Sequence, residues 1–131
     1  MFLLDTNTLI YYFKGQGQVA EKLLATPPDQ LAISTVSLFE LETGLRKSGE
    51  SRKRRAQLDA FALAAQVWSF DQPAALAAAD IRAALESKGQ PMGPLDNLIA
   101  GIAVVHAATL VTRNRREFSR VPRLATVDWH G

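Results

Sequence analysis

Two aspartates stand where the surrounding pattern gives them little reason to be. Asp5 interrupts "MFLLDTNTLI" between the apolar residues 2–4 and the resumed pair Leu9 and Ile10, so a carboxylate appears just where the chain enters its core. Asp96 lies in "GPLDNLIAGIAVVHA", two residues after a proline suited to the first helical position. Each has a simpler role. Asp5 would cap a helix beginning at Thr6, and Asp96 in a first turn would favour the helix dipole. Together with the arginine-rich "TRNRREF" at 112–118, they suggest a chemistry. Carboxylates brought together repel and raise one another's pKa, and a hard divalent cation, Mg2+ or Mn2+, relieves that through oxygen ligands. A cation held by Asp5 and Asp96 beside arginines suits phosphodiester cleavage, in which the metal activates water and cationic side chains hold the backbone. Two histidines and no cysteine cannot supply a typical zinc site.

Such residues meet only if the elements between them bring them together. Residues 1–4 read as a strand, 6–13 and 18–26 as helices stopped by "TPPD", and "LAIS" at 31–34 as a second strand. Ser34, Thr35 or Ser37 caps a helix running to about Lys47, and a further helix covers roughly 51–66. "VWSF" at 67–70 is a third strand. Asp71 caps a long alanine-rich helix ended by Gly89 and Pro91, Pro94 opens the next, and "TLVT" at 109–112 and "LATV" at 124–127 are the last strands. Strands alternating with helices imply an α/β fold with a central, mostly parallel sheet of four to five strands covered on both faces. Ligands of such sheets collect beyond the carboxyl ends of the strands, and Asp5, Asp96 and the 112–118 segment all fall near that edge.

The 131 residues fit a single domain, 1–131, large enough for its own core. With 47% hydrophobic and 21% charged residues the chain is not of the disordered type. No signal-like segment or bilayer-length apolar run is apparent, and with no cysteine the expectation is a cytoplasmic protein. The formal charge is only +2, yet 11 of the 15 basic residues fall in "RKSGESRKRR" at 46–55 and "RNRREFSRVPR" at 113–123. These runs are either solvated helix faces or phosphate contacts. Arg46, Arg52, Arg113, Arg115 and Arg116 are the candidates for contacting a nucleic-acid backbone. His106, within an apolar helix, reads as a packing residue.

The ordered pieces "LLDTN" at 3–7, "SLFELETG" at 37–44, "FDQPAALAAADIRAALESKGQPMGPLDNLIAGIA" at 70–103, "LVTRNRREFSRVPRL" at 110–124 and "DW" at 128–129 resemble the PIN-domain ribonucleases. Within them, the resemblance is to the VapC-type toxins of type II toxin–antitoxin systems. It implies a three-layer α/β/α sandwich and a metal-dependent endoribonuclease that cuts structured cellular RNA such as tRNA with metal-activated water. It also implies a homodimer, and a VapB-type antitoxin whose C-terminal arm covers the acidic groove. Asp5 and Asp96 match metal ligands, and Glu40 matches the glutamate of "E-L-x-x-G". On a helical wheel Leu38, Leu41 and Leu45 mark the core face, Glu42 borders it, and Glu40 faces either pocket or water; the family match prefers Glu40. At the fourth acidic position, where many relatives carry aspartate, this chain has Asn114, and Glu117 is the carboxylate that could replace it. Thr6, Asn7 and Thr112 match as supporting residues able to orient carboxylates or metal-bound water.

Two other readings compete. Asp5 followed by Thr6 is shared with phosphoaspartyl hydrolases and receiver domains, but Asn7 replaces their second aspartate and Lys88 is the only lysine after residue 53. The Asn114 departure also allows a non-catalytic PIN-like adaptor that binds RNA without cutting it.

Overall fold

All five expected strands form, and they run parallel. The computed structural model of the chain describes residues 1–49 and 51–131; Glu50, inside the first basic run, lies outside the described residues. Strands β1 (Phe2–Leu4), β2 (Leu31–Ser34), β3 (Gln66–Trp68), β4 (Thr109–Val111) and β5 (Ala125–Val127) make one sheet in the order β3-β2-β1-β4-β5. The central strand is therefore β1, with β2 and β4 on either side of it.

Each strand is short and its successive side chains serve opposite faces. Leu3, Ala32 and Leu110 join one buried cluster, while Leu4, Ile33 and Val111 join the other. That is why these strands read as continuous apolar runs rather than alternating ones. Helices α5 (Gln72–Ser87) and α6 (Pro94–Val105) cover the first face through Ala74, Ile81, Ile99 and Ile102. Helices α1 (Thr6–Lys14), α2 (Val19–Leu24) and α4 (Arg52–Ala64) cover the second through Leu9, Val19 and Phe61. Helix α3 (Thr35–Lys47) sends Val36 to the first cluster and Leu45 to the second. The result is a three-layer α/β/α sandwich. No helix among the described residues is long and apolar enough to cross a membrane.

Side-chain caps start three of these helices at strand exits. Asp5 accepts from the Thr8 amide at 2.8 Å, Ser34 from Ser37 at 2.9 Å and Asp71 from Ala74 at 3.1 Å. Of the three cap candidates near residue 35, Ser34 is the one used; Thr35 instead accepts from the Phe70 amide at 3.0 Å, tying α3 to the end of β3. The third strand is shifted to 66–68, the second helix spans only 19–24, and a 3-10 turn follows at Pro28–Gln30. A one-turn helix α7 (Arg115–Phe118), not expected from the sequence, buries Phe118 beneath the arginine run. His106 is not inside α6 but is its C-cap; it is exposed, and its ring stacks flat on Trp68 with centroids 3.9 Å apart.

Helices α5 and α6 approach each other closely, and the α6 sequence explains how. A Cβ on Gly101 would lie 2.8 Å from the Ala74 carbonyl oxygen and from Ala78 Cβ. One turn earlier, the buried Asn97 amide donates to the Ala78 carbonyl at 2.9 Å. Asp96 precedes Asn97 in the same first turn of α6, about a quarter-turn around the helix from this lock. Gly101→Ala is expected to lower stability by about 1–3 kcal/mol, because the clash is with backbone rather than a flexible side chain. Gly44→Ala, in α3 with open space around it, should raise stability by about 0.5–1 kcal/mol. Urea denaturation midpoints check both.

Candidate active site

Strand register places a polar residue at the carboxyl end of four of the five strands in one row. Leu4 pairs with Ile33 and with Val111, and Val111 pairs with Val127. The following residues, Ser34, Asp5, Thr112 and Asp128, therefore stand side by side at the carboxyl edge. Asp5 is only 5% exposed. Its carboxylate takes the Thr8 amide and the Thr112 hydroxyl, and its own amide donates to the Val111 carbonyl at 3.1 Å. Burial raises its pKa, the hydrogen bonds pull it down less strongly, and the Asp128 charge adds a further push upward. Asp5 is thus both a helix cap and a site residue.

The two glutamates of α3 separate by partner. Glu40 turns inward, where its Oε1 accepts from the Thr6 hydroxyl at 2.6 Å. With the Thr6 proton so committed, its oxygen, 2.9 Å from the Ser37 hydroxyl, is left as an acceptor. Glu42 turns away. Arg55 grips both its oxygens at 2.7 and 2.8 Å and Arg46 adds a contact at 2.6 Å. These guanidinium bonds hold the Glu42 carboxyl low, at about 2. Glu42 is a structural ion pair between α3 and α4, and Glu40 is the pocket carboxylate.

Across the pocket, Asp96 is half-buried and its pKa is pushed up to about 6, first by burial and then by the charges of Glu117, Asp5 and Glu40. Four acids therefore share one field. Glu117 is held by two neutral donors: the Gly93 amide reaches Oε1 at 3.1 Å and the Asn114 side-chain amide reaches Oε2 at 2.9 Å. The Asn114 backbone amide in turn donates to the Thr112 hydroxyl at 3.0 Å. Asn114 thus brings no charge of its own, and its side-chain amide holds the Glu117 carboxylate.

None of Asp5, Glu40, Asp96 or Glu117 forms an ion pair with a lysine or arginine among the described residues. Their repulsion is left standing, and this donor set suits a hard cation. Among the described residues no three His, Cys, Asp or Glu side chains are grouped closely enough to hold a metal ion by themselves.

Thr6 and Thr112 occupy the expected supporting places. Asn7 does not: it is exposed, and it is the Thr8 amide that meets Asp5. Among the arginines, Arg46 is committed to Glu42, Arg52 is exposed at the start of α4, Arg115 reaches Thr126 at 3.4 Å, and Arg116 is exposed on α7. Arg113 lies over the Tyr11 ring. Sequence reasoning passed over Asp128 as a site residue, although its place directly after the last strand is the signal that singled out Asp5.

Comparison with known proteins adds the family. A PIN-domain family model matches residues 2–124. The "tRNA(fMet)-specific endonuclease VapC" of Salmonella typhimurium is 36% identical over 128 residues, covering 98% of this chain and 97% of that protein. Its namesake from Shigella flexneri is 37% identical over the same shares. Among solved structures, VapBC2 from Rickettsia felis bound to a promoter DNA fragment superposes with a TM-score of 0.89 at 32% identity, with 98% of each chain covered.

The raised pKa of Asp96 has a stability consequence. Its folded value, about 6, lies above the ordinary 3.8, so the folded protein binds more protons than the unfolded one between those values and loses stability as pH rises through them. Asp96→Asn should therefore stabilise the metal-free protein at pH 7–8 by about 1 kcal/mol, solvent screening being allowed for. The gain should vanish below pH 4. Thermal unfolding in chelator across pH 4–8 tests this.

Proposed function

This chain belongs to the PIN-domain family, within it to the VapC ribonucleases, and from that premise we propose that it is a toxin that hydrolyses structured RNA at the pocket of Asp5, Glu40, Asp96 and Glu117. The observation that carries the reading is the convergence of four carboxylates, steadied by neutral donors, on the sheet edge. tRNA is the proposed substrate class, by analogy with the Salmonella and Shigella relatives named for tRNA(fMet).

Asp5 and Asp96 are the residues we assign to hold Mg2+ or Mn2+, which when bound supplies electrophilic activation of the phosphodiester and of water. The rest of the work belongs to the side chains. Glu40 has Oε1 engaged by Thr6, which fixes its rotamer and leaves Oε2 to accept a proton from the attacking water. Glu117, held at both oxygens, keeps the negative field on the α6 side. The basic side chains of 113–123 stand beside this pocket and offset the repulsion between four acids and an RNA backbone. A base splayed from a loop gives the backbone room to bend into such a site, which a duplex lacks.

The partner we propose is a VapB-type antitoxin, as in the VapBC complexes of Rickettsia felis and Salmonella typhimurium. An apolar groove of about 340 Å³ between α1, α3 and α4, lined by Phe13, Leu41, Leu45 and Leu58, has Glu40 in its wall. A chain laid in it would pass directly to the acids. Against the adaptor reading, Asn114 holds a carboxylate in place rather than leaving the position neutral. Against the phosphoaspartyl reading, Asp5 is buried and its carboxylate is already bonded to Thr8 and Thr112.

Purified protein should cut tRNA in Mg2+ or Mn2+, and a chelator should stop it reversibly. Asp5→Asn, which keeps an N-cap, and Asp96→Asn should each lower the rate about 100-fold or more. Cutting that persists in both variants would remove the assignment. Thr6→Val, which leaves Glu40 without its hydroxyl, should slow cleavage by about 10- to 100-fold. Glu42→Gln should leave the rate unchanged and lower the thermal midpoint.

A further inference from the structure

Beside the acids lies a second group of side chains that the hydrolysis does not use. Tyr11 of α1, Arg113 after β4 and His130 after β5 come from three separate parts of the fold and meet at the carboxyl edge of the sheet. The Arg113 guanidinium stands 5.6 Å from the centre of the Tyr11 ring. The His130 ring meets Tyr11 edge-on, with centroids 4.9 Å apart and planes at 78°. This arrangement is held from below. The His130 carbonyl accepts from the Gln18 amide at 2.7 Å, and its amide donates to Asp128 Oδ1 at 2.8 Å. Gly17, at φ +64°, gives the ring its seat, because a Cβ there would lie 2.7 Å from the ring Cγ.

Arg113 is flanked by two site residues: Thr112, which bonds Asp5, and Asn114, which holds Glu117. Yet the guanidinium pairs with none of the nearby acids. It is exposed and forms no ion pair among the described residues. An arginine parked on an aromatic ring keeps its planar outer face and N–H donors for a ligand. Tyr11 lies six residues, about 9 Å of helix, beyond Asp5. A nucleotide adjoining the scissile phosphate can reach it.

We propose that Arg113, backed by Tyr11 and braced by His130, is a stacking platform for an unpaired nucleobase next to the cleaved bond. Any base has a π-face, so the platform selects for unpaired nucleotides rather than for one sequence. It rests on the ribonuclease reading and adds a base contact to a surface otherwise expected to meet only phosphates.

The test uses a single-stranded oligoribonucleotide with 2-aminopurine moved along it one position at a time, and a twin that is abasic at the same position, titrated in chelator. Wild type should quench the probe at one position, and loss of that base should weaken binding by about five- to a hundredfold. Arg113→Lys keeps the charge but not the plane; in it the quench should disappear and the intact and abasic strands should bind alike. Arg113→Lys that behaves as wild type, while Arg113→Ala weakens both strands equally, would show a phosphate contact and overturn the proposal. So would a variant that binds RNA normally but no longer assembles with the antitoxin, which would make this face a protein interface. A wild type that cuts RNA without quenching at any position removes the platform alone. One that neither binds nor cuts removes the ribonuclease reading with it.

Discussion

Like charges forced together at the exit of a parallel sheet are the constraint around which the rest is arranged. Asp5, Glu40, Asp96 and Glu117 come from four places in the sequence, and each is steadied by a neutral donor or left to its neighbours' field: amide and hydroxyl for Asp5, hydroxyl for Glu40, two amides for Glu117. A lysine or arginine in that pocket would remove the repulsion and with it the pull on a cation. The neutral donors orient the carboxylates and leave their charge in place. The fold tolerates the cost because the sheet and the α5–α6 lock beneath it are tightly packed.

Arginines close by are handled in two ways. Glu42, two residues from Glu40, draws Arg46 and Arg55 away from the pocket and uses them to fasten α3 to α4. Arg54 is spent similarly, bonding the Phe13 carbonyl and Gln57 to tie α4 to the end of α1. The first basic run is therefore in good part structural. The second run, on and around α7, is mostly exposed and lies next to the acids. The two runs look alike in the sequence, and what distinguishes them is the set of partners that the fold brings to the first run.

Much of the fold was legible because short apolar runs between caps and glycines have few alternatives. The parallel sheet, the Asp71 and Pro94 helix starts and the convergence of Asp5 with Asp96 all followed from local pattern. Glu40 was not separable from Glu42 by periodicity, since the choice depends on Thr6 and Arg55, which are distant in sequence. The role of Asn114 was hidden for the same reason: its amide finds Glu117 only once α7 forms, and a four-residue helix leaves almost no periodic signal. Asp128 followed the same rule as Asp5, but its strand was short and lay at the sheet edge, where a polar residue draws little notice.

The order of the sheet also bears on synthesis. The central strand is made before the strands on either side of it, and one of those two neighbours, β4, ends only at Val111. The pocket needs residues 5, 40, 96 and 117, and the row at the strand ends closes with Asp128. A nascent or truncated chain lacking its last quarter has no assembled pocket, however well its early helices form. This late completion keeps the carboxylates apart until nearly the whole polypeptide has been made.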